Sequence, residues 1–399
     1  MLDQGLLREL QTAEGEAALQ AAAQLAPSEE SYLEASQRLA GRFPEKLARA
    51  AVEQAILRRR ARAKFSAADR LFFLREPLEQ ATSEPVALHR ARRFTGAAWI
   101  VDLGCGLGGD ALALSTAGRV LAIDRDRLRL AVLQANARAV GRTDQIWTVH
   151  ADLSAEPIRP GPSALAFADP ARRMQGVRRR SSSQSEPPLH RIVELVERFE
   201  GAAVKLSPAV DRAELAAWPA EIEFVSVAGD LKEATLWFGS LRMGVRRATV
   251  LPQDVSLEGD VEPEVDVGPL DSYLVEPDPA VMRAGLVRRL ASQLGARRID
   301  SDLALLTTPG AVETPFGRCY QIAEVLPSGL KPLRQALRAR GIGPVTLKKR
   351  GSAVDTESFR HRLRLGEGEE ATVLLTRAGG RRVALLLRRV DPQLAERPA

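Results

Sequence analysis

Short apolar runs alternate with helical stretches in the middle of the chain, and this pattern limits the fold more than any other feature of the sequence. The runs are WIVDL, VLAID, IWTVH, ALAFAD and AAVKLS. Between them lie stretches such as 109–117 and 127–140, whose residues favour helix. Because strands that alternate with helices form βαβ units, we predict an α/β fold with a doubly wound parallel sheet. The runs are continuously apolar, so both faces of the central sheet should be buried.

The regions before and after this alternation predict further parts. Residues 1–95 are rich in Ala, Leu, Glu, Gln and Arg, which predicts an N-terminal helical segment. The doubly wound domain is expected over 96–250, where EFVSV and EATLWFG predict a hairpin that closes the sheet. The acidic, Pro-containing stretch 252–278 indicates a boundary. Beyond it we expect a small C-terminal α+β module, with a ferredoxin-like α+β segment at 270–320 and a second part at 321–395.

Composition limits the class of protein. The chain has 399 residues, of which 45% are hydrophobic and 27% charged, as is typical of globular proteins. No apolar run reaches the ~18 residues of a membrane span, and the residues after Met1 do not resemble a secretory signal, so we expect a cytoplasmic protein with no membrane partner. Cys105, Cys319 and four histidines without ligand spacing predict no disulfide framework and no metal site. Nothing in the sequence indicates an obligate protein partner.

Charge is unevenly distributed along the chain. The formal net charge is +6. Residues 172–180 contain five arginines and no acid, and 331–364 contain ten Lys and Arg against two acids, whereas 254–278 contain nine acids and no base. Such segregation can form a basic face for a polyanion. The alternative is that each basic run is an ordinary solvated surface.

A glycine-rich turn predicts where a ligand binds. The sequence VDLGCGLGGD runs from 101 to 110, directly after the first predicted strand. Gly104 and Gly106 remove side chains where a ligand would approach the backbone, and Cys105 lies in the same turn. Such a turn can hold a dinucleotide, a phosphate group or S-adenosylmethionine. Asp102 favours the last, because a carboxylate there can accept a hydrogen bond from the ammonium group of a methionine moiety. The absence of Gly-Lys-Ser/Thr excludes a Walker A loop.

Further polar residues follow the next strands. Asp124 ends the second strand, where an acid reaches ribose hydroxyls. Asp152 follows the third strand, where it can accept the adenine amino group while Leu153 packs on the ring. A single Asp after a strand is more often a helix cap, but three at successive strand ends favour a cofactor site. Gln80 and Thr82 lie before the first strand and are expected to close over the methionine end of the cofactor, or else to cap the next helix.

The segment ADPARR, at the end of the fourth strand, predicts the catalytic residues. Asp169 can accept a hydrogen bond from a nucleophilic amine, and the backbone of Pro170 can fix its approach; the alternative is a structural turn. Arg172 and Arg173 would lie at the mouth of the cleft and contact the substrate, unless Arg172 pairs with Asp169. Lys205 ends the fifth run and would meet substrate phosphate, unless it faces solvent.

A second basic cluster lies far along the chain. Lys348, Lys349 and Arg350 end a predicted strand of the C-terminal module. Together with Arg178–Arg180 they would extend a positive track for a nucleic acid. Such contacts contribute affinity and register rather than sequence choice.

The order of these motifs resembles that of class I S-adenosylmethionine-dependent methyltransferases. More narrowly, residues 60–395 are similar to bacterial methyltransferases that carry a C-terminal THUMP-like domain, a likeness carried by FFLREPLEQATSEPVALHRARRF, VDLGCGLGGDALAL, ADPARR, VKLSP and VTLKKRG. Residues 65–152 are also similar in layout to trimethylguanosine synthases, which methylate the cap guanine of RNA. The resemblance implies S-adenosylmethionine as cofactor, a seven-stranded sheet and a THUMP-like domain at 321–395. It also implies a nucleic-acid substrate, RNA first, with guanine or another base amine as the acceptor.

Two departures from related patterns leave the acceptor atom open. Methyltransferases that act on base amines usually carry Asp/Asn-Pro-Pro followed by an aromatic residue, which stacks on the target base. Here the residues are Asp169-Pro170-Ala171-Arg172. Pyrimidine C5 methylation needs a cysteine nucleophile, but VKLSP places Ser207 at the usual position. Two alternative functions remain: a catalytically silent RNA-binding protein on a methyltransferase scaffold, and a methyltransferase that acts on a small molecule or a protein.

Overall fold

The computed structural model describes most of the chain. The described residues are 2–155, 158–161, 163–172, 185–186, 188–215 and 217–390, with only the backbone described at 171–172, 185–186 and 212. Arg173 and Arg178–Arg180, which the sequence predicted to bind substrate, lie outside these ranges. The chain forms two compact units, Met1–Ile222 with Glu233–Met243, and Glu223–Lys232 with Gly244–Ala399.

The first unit begins with helices, as predicted. These are α1 (Gln4–Leu10), α2 (Ala13–Gln24), α3 (Tyr32–Ala40), α4 (Glu45–Ala61), α5 (Arg75–Gln80) and α6 (Glu84–Ala91), followed by a 3-10 turn at Arg92–Phe94. Asp3 and Thr12 cap α1 and α2 by accepting hydrogen bonds from backbone N–H groups. Leu7, Leu47 and Ile56 are fully buried in the shared core of these helices. Burial of this apolar surface, at ~25 cal/mol per Å², stabilises the helices more than their intrinsic propensity does.

Strands follow the helical segment, and those that pair in parallel form the predicted parallel part of a sheet. The strands are β1 (Trp99–Leu103), β2 (Arg119–Asp124), β3 (Ile146–His150), β4 (Ala164–Ala168), β5 (Ala171–Arg172), β6 (Ser185–Glu186), β7 (Gly201–Leu206), β8 (Glu221–Val227), β9 (Asp230–Gly239), β10 (Arg246–Leu251) and β11 (Val255–Glu258). The intervening helices are α7 (Gly109–Leu114), α8 (Arg127–Ala139), α9 (Leu189–Val196) and α10 (Arg212–Leu215). Nine strands form one sheet in the order β11-β10-β8-β9-β7-β4-β1-β2-β3, in which β1–β4 and β7 are the parallel part, and β5 pairs with β6. The predicted α/β class is confirmed.

Three details of this sheet differ from the sequence expectation. The resemblance implied seven strands, but the described residues form nine in this sheet, because β10 and β11 also join it. For the same reason, the β8–β9 hairpin does not close the sheet: it turns at Ala228 and Gly229, which have positive φ, and β10 lies beyond β8. Burial on both faces holds for β4, all of whose residues are buried, but not for β3, where only Ile146 is buried. The strand β3 lies at the sheet edge, where neighbours cover less of it.

The second unit contains a seven-stranded sheet with helices. Its elements are β12 (Tyr273–Pro277), α11 (Pro279–Ala284), α12 (Val287–Leu294), β13 (Arg297–Arg298), β14 (Leu306–Thr308), β15 (Gly317–Pro327), α13 (Leu330–Arg338), β16 (Ile342–Lys349), α14 (Thr356–Leu363), β17 (Glu369–Ala378) and β18 (Arg381–Arg389). The strand order is β13-β14-β12-β15-β18-β17-β16. Because β15 runs across residue 320, strands on both sides of that position belong to one sheet. Leu333, Leu363 and Val373 lie in the core that α13 and α14 share with the sheet. In the described part of the chain, no helix is long and apolar enough to cross a membrane.

Candidate active site

The glycine-rich turn follows β1 directly. Gly104, Gly106 and Gly108 have φ values of +85°, +54° and +79°, in the region that favours glycine. An added Cβ at Gly106 would meet no atom within 4 Å, so the missing side chain leaves open space beside the turn. An added Cβ at Gly108 would lie 2.1 Å from Leu133 Cδ1, so this glycine lets the turn pack against α8. Cys105 lies buried within the turn, and burial raises the pKa of its thiol well above the usual value.

Asp124, at the end of β2, fixes the conformation of this turn. Its Oδ2 accepts a hydrogen bond from the Gly106 N–H at 2.9 Å, and its Oδ1 accepts one from the Asp126 N–H at 2.8 Å. The carboxylate is buried beside the turn. Each oxygen keeps capacity for a further donor, because a carboxylate oxygen can accept two hydrogen bonds. Asp124 therefore has a structural role and still fits the predicted contact with ribose hydroxyls.

Asp102 is a buried carboxylate without a donor. It lies in β1 immediately before the turn and is 1% exposed, and within the described ranges neither of its oxygens has a hydrogen-bond partner. Burial, followed by the negative charges of Asp110, Asp169 and Asp124, raises the pKa of its carboxyl well above the usual value. A buried carboxylate that lacks a donor destabilises the protein unless a ligand supplies one. The residue therefore fits a cofactor with a cationic hydrogen-bond donor, such as the ammonium group of S-adenosylmethionine.

Asp152 and Leu153 lie after β3. Asp152 is exposed, and its Oδ1 accepts hydrogen bonds from the N–H of Ser154 at 2.9 Å and from its hydroxyl at 2.7 Å. These two bonds lower the pKa of Asp152, and they cap the 3-10 turn that begins at Leu153. The Leu153 Cδ1 lies 3.9 Å from where a Cβ of Gly104 would be. Asp152 therefore acts as a helix cap, and Leu153 lies against the glycine turn, where the prediction of adenine packing needs it.

A buried ionic network lies under the site. Arg90, in α6, is 1% exposed; its Nη2 donates to both carboxylate oxygens of Glu233 at 2.7 and 2.6 Å, and its Nη1 pairs with Asp110. The guanidinium also stacks on the Phe167 ring, 4.7 Å from its centroid. Burial alone would raise the pKa of Asp110, but the positive charges of Arg90 and Lys205 lower it. Asp110 opens α7, so this network connects the first turn of that helix to α6 and β9.

The segment before α6 is attached to the same network. Lys64 Nζ donates to three carbonyl oxygens at and after the end of α5, each at 2.9 Å. Gln80, the last residue of α5, is exposed. The Thr82 hydroxyl donates to Asp110 Oδ2 at 3.3 Å, whereas the N-cap position of α6 is occupied by Ser83, whose side chain makes no capping hydrogen bond. Thr82 is therefore linked to the carboxylate at the start of α7, and the alternative interpretation of Thr82 as a helix cap does not match the structure.

Asp169 and Lys205 face each other across neighbouring strands. Asp169 follows β4, Lys205 lies near the end of β7, and the ammonium group pairs with Asp169 Oδ2. Burial alone would lower the pKa of Lys205, but Asp169, with Asp110, raises it, so the side chain is an ammonium ion at neutral pH. The alternative that Lys205 faces solvent is wrong, since its side chain is 14% exposed, and its predicted contact with substrate phosphate stays a prediction. The side chain of Arg172 lies outside what the structure describes, so its predicted contact stays a prediction.

The distal basic cluster lies in the second unit and has internal partners. Lys348 Nζ donates to Glu276 Oε2 at 2.6 Å, and Arg350 Nη2 lies 2.7 Å from the other oxygen of that carboxylate. Lys349 Nζ donates to the Val354 carbonyl at 2.9 Å. One carboxylate therefore compensates two of the three cations, and a net positive charge remains.

Arg90 and Glu233 were not among the residues predicted from the sequence. The sequence around each of them could nevertheless have indicated a buried charge. Arg90 occupies the same helix stripe as the buried Val86 and Ala87, where an arginine requires a partner. Glu233 precedes the fully buried and mostly apolar stretch ATLWF of β9. Within the described ranges, no group of three His, Cys, Asp or Glu side chains could hold a metal ion.

Comparison with known proteins identifies related domains along the chain. Residues 97–186 match the family model of RNA cap guanine-N2 methyltransferases, and residues 317–389 match that of THUMP domain-like proteins. Residues 3–61 match a domain of unknown function. These three matches fall in the parallel sheet, the C-terminal sheet and the helical segment, respectively.

Relatives match most of the chain. Uncharacterized S-adenosylmethionine-dependent methyltransferases from two strains of Mycobacterium tuberculosis, CDC 1551 and H37Rv, are each 35% identical, over 82% of this chain and 92% of their own length. A crystal structure from Porphyromonas gingivalis W83, described as a "putative methyltransferase", has a TM-score of 0.73 at 21% identity and covers 92% of this chain and 100% of that one, which shows the same fold. With the buried Asp102 beside an open glycine turn, these relationships establish that the chain belongs to the S-adenosylmethionine-dependent methyltransferases and carries a C-terminal THUMP-like domain.

Proposed function

We propose that this methyltransferase transfers the methyl group of S-adenosylmethionine to a base in RNA. The observation that carries the proposal is the match of residues 97–186 to RNA cap guanine-N2 methyltransferases, combined with the THUMP-like domain on the same chain. The positive charge remaining around Lys348, Lys349 and Arg350 supports a polyanionic substrate. The intact acidic residues and the methyltransferase family argue against a catalytically silent scaffold.

Residues around the glycine turn would hold the cofactor. Asp102 would accept a hydrogen bond from the ammonium group, and Asp124 from the ribose hydroxyls. Asp152, through the oxygen not used for capping, would accept the adenine amino group, with Leu153 against the ring. Gly104, Cys105 and Gly106 would allow close approach of the backbone, while Thr82 and Gln80 would lie near the methionine end. When bound, S-adenosylmethionine supplies an electrophilic methyl group next to this turn.

Asp169 and Pro170 would position the acceptor. An amine N–H of the substrate donates to Asp169, and this bond points the nitrogen lone pair away from the carboxylate and towards the methyl group. Because Lys205 pairs with the same carboxylate and holds it in place, we assign Asp169 to orientation rather than to proton removal. The nitrogen–carbon bond forms as the carbon–sulfur bond breaks, and the surplus proton leaves the methylated nitrogen for solvent.

Methyl transfer from radiolabelled S-adenosylmethionine to separated RNA, DNA, protein and small-molecule fractions tests this function. We expect label in RNA, and a loss of about 100-fold or more in rate for Asp169→Ala, which removes the acceptor oxygens; this is the size seen when one preorganised transition-state hydrogen bond is removed. Binding of S-adenosylhomocysteine should be unchanged in that variant. Label in the protein or small-molecule fraction, with none in RNA, would overturn the assignment of substrate.

A further inference from the structure

A basic groove lies between α1, α8 and the end of β3, and none of its lining residues is assigned above. Its volume is about 430 Å³. Arg8, Arg127, Arg138 and His150 line it together with three glutamines, and no carboxylate is among its described lining residues. All of these residues belong to the first unit. The groove is therefore a concave surface with a single sign of charge.

The walls of the groove are held in place by the core. Leu7 and Leu10 of α1 are 1% and 0% exposed and belong to the same hydrophobic cluster as Val132 and Ala135 of α8. Asp3 caps the start of α1 by accepting a hydrogen bond from the Leu6 N–H at 2.8 Å. Because α1 is anchored on α8, the two helices hold their arginines at fixed spacing.

The arginines of the groove lack acidic partners. In the described part of the chain, Arg8 and Arg127 form no ion pair, and Arg138 donates only to the neutral side-chain oxygen of Gln11, at 2.9 Å. Many other arginines, such as Arg60, pair with carboxylates. Three guanidinium groups without counter-charges attract anions to the cleft that they line. The groove therefore has the electrostatics of a phosphate-binding surface.

Position connects this groove with the active site. Arg127 is the first residue of α8, three residues after Asp124, and His150 is the last residue of β3. Both residues therefore lie at the carboxyl ends of parallel strands, the sheet edge that also carries the glycine turn. The His150 ring nitrogen Nε2 lies 3.0 Å from the Arg125 carbonyl, which keeps the ring at this edge. A strand of nucleic acid at the active site can follow this edge into the groove.

We propose that the groove binds a phosphodiester segment of the RNA substrate, and that this is what the N-terminal helical segment contributes to the enzyme. Arg8, Arg127 and Arg138 contact phosphates, and the apolar floor formed by Leu7 and Leu130 receives the sugar and base. Such contacts give affinity and register without sequence choice. The proposal rests on RNA being the substrate, as proposed above.

The test compares two triple variants of the full-length protein. The first is Arg8→Gln with Arg127→Gln and Arg138→Gln. The control, Arg38→Gln with Lys46→Gln and Arg49→Gln, removes the same charge from exposed positions of α3 and α4. Affinity for fluorescently labelled single-stranded RNA is measured by anisotropy over a series of salt concentrations. Binding of S-adenosylhomocysteine by calorimetry and thermal unfolding report whether each variant is intact.

We expect the groove variant to lose about 2 units from the slope of log affinity against log salt, since each single-strand phosphate contact contributes ~0.7. If the plots of log affinity against log salt for the wild type and the variant meet near 1 M salt, this difference in slope corresponds to about 100-fold weaker binding at 0.1 M salt. The control should lose much less, and the Arg→Lys version of the groove variant should retain most of the slope. Binding of S-adenosylhomocysteine should be the same in all of them.

The outcomes separate this proposal from the proposed function. If the wild type methylates RNA and the groove variant binds RNA with an unchanged slope, the groove assignment is wrong and the function stands. If RNA binding depends on the groove but label never enters RNA, the groove assignment stands and the reaction is wrong. If the groove variant loses affinity for AMP but not for RNA, the site takes a free nucleotide, and our assignment is overturned.

Discussion

Replacing Asp102 by Asn should stabilise the protein without cofactor and weaken cofactor binding. Asp102 is 1% exposed and has no hydrogen-bond donor within the described residues, so its charge costs free energy until the cofactor binds. Asn has nearly the same shape and no charge. The Asn amide still lacks a partner, but burying a charge costs more than burying a neutral polar group, so we expect the free energy of unfolding without cofactor to rise by about 1 kcal/mol or more.

The cofactor affinity should change in the opposite direction. A hydrogen bond between a carboxylate and an ammonium group contributes about 1.5–3 kcal/mol, which corresponds to a Kd roughly 10- to 150-fold higher in Asp102→Asn. At a ligand concentration of about 100 times the wild-type Kd, bound ligand stabilises the wild type by about 2.7 kcal/mol, and the variant by about 0.4 kcal/mol if its Kd is 100-fold higher. Thermal unfolding with and without S-adenosylhomocysteine, supported by calorimetry, measures both quantities.

The pH dependence provides a second measurement on the same variant. Burial raises the pKa of Asp102 in the folded protein above its unfolded value near 3.8, so the folded chain binds a proton there that the unfolded chain has released. This group therefore makes the cofactor-free protein less stable as pH rises from about 4 towards the folded pKa, and Asp102→Asn should remove that contribution. The exposed Asp144→Asn is the control and should change neither stability nor affinity. A variant that melts below the wild type, or binds cofactor equally well, would refute the reasoning.

Two further predictions concern the scaffold of the site. Arg90→Met should destabilise the first unit by about 3–5 kcal/mol in urea unfolding, because it leaves two buried carboxylates without the arginine that pairs with them. Adding Glu233→Gln to this variant should restore part of the lost stability. If the two substitutions destabilise additively, the network is contradicted. Gly108→Ala should reduce stability by more than ~1–3 kcal/mol through its clash with Leu133, added to the strain of positive φ. Gly106→Ala should lose only the stability that the strain of positive φ costs, and it should weaken cofactor binding, measured by calorimetry, more than Gly108→Ala does. An equal loss of stability in the two variants would contradict this distinction.

Local patterns predicted the parallel sheet well because strand and helix periodicities repeat over short distances. The strands β10 and β11 were missed for a physical reason. Their residues adjoin and enter the acidic stretch 252–278, whose Pro and charge content indicated a boundary, while their place in the sheet depends on pairing with distant strands. Sequence alone also gave no sign that β15 crosses position 320 within one sheet.

The residues of the candidate site were likewise predictable only in part. Asp102 and Asp124 could be placed because their position at the carboxyl ends of parallel strands follows from local sequence. The pairing of Arg90 with Glu233 joins residues 143 positions apart, and no local pattern specifies that pair. The acidic residue at each strand end was therefore predictable, whereas the buried ion pair between Arg90 and Glu233 depends on the tertiary structure.

The first unit is discontinuous in sequence, since it consists of residues up to Ile222 and of the later segment Glu233–Met243. During synthesis, a nascent chain that has reached residue 222 lacks β9, so β7 has no antiparallel neighbour and Arg90 has only one of its two carboxylates. The methyltransferase unit can therefore reach its final state only after residue 243 has left the ribosome. For the same reason, an expression fragment that stops at 222 would present an open sheet edge and a half-neutralised buried arginine, and would aggregate more readily than the whole chain.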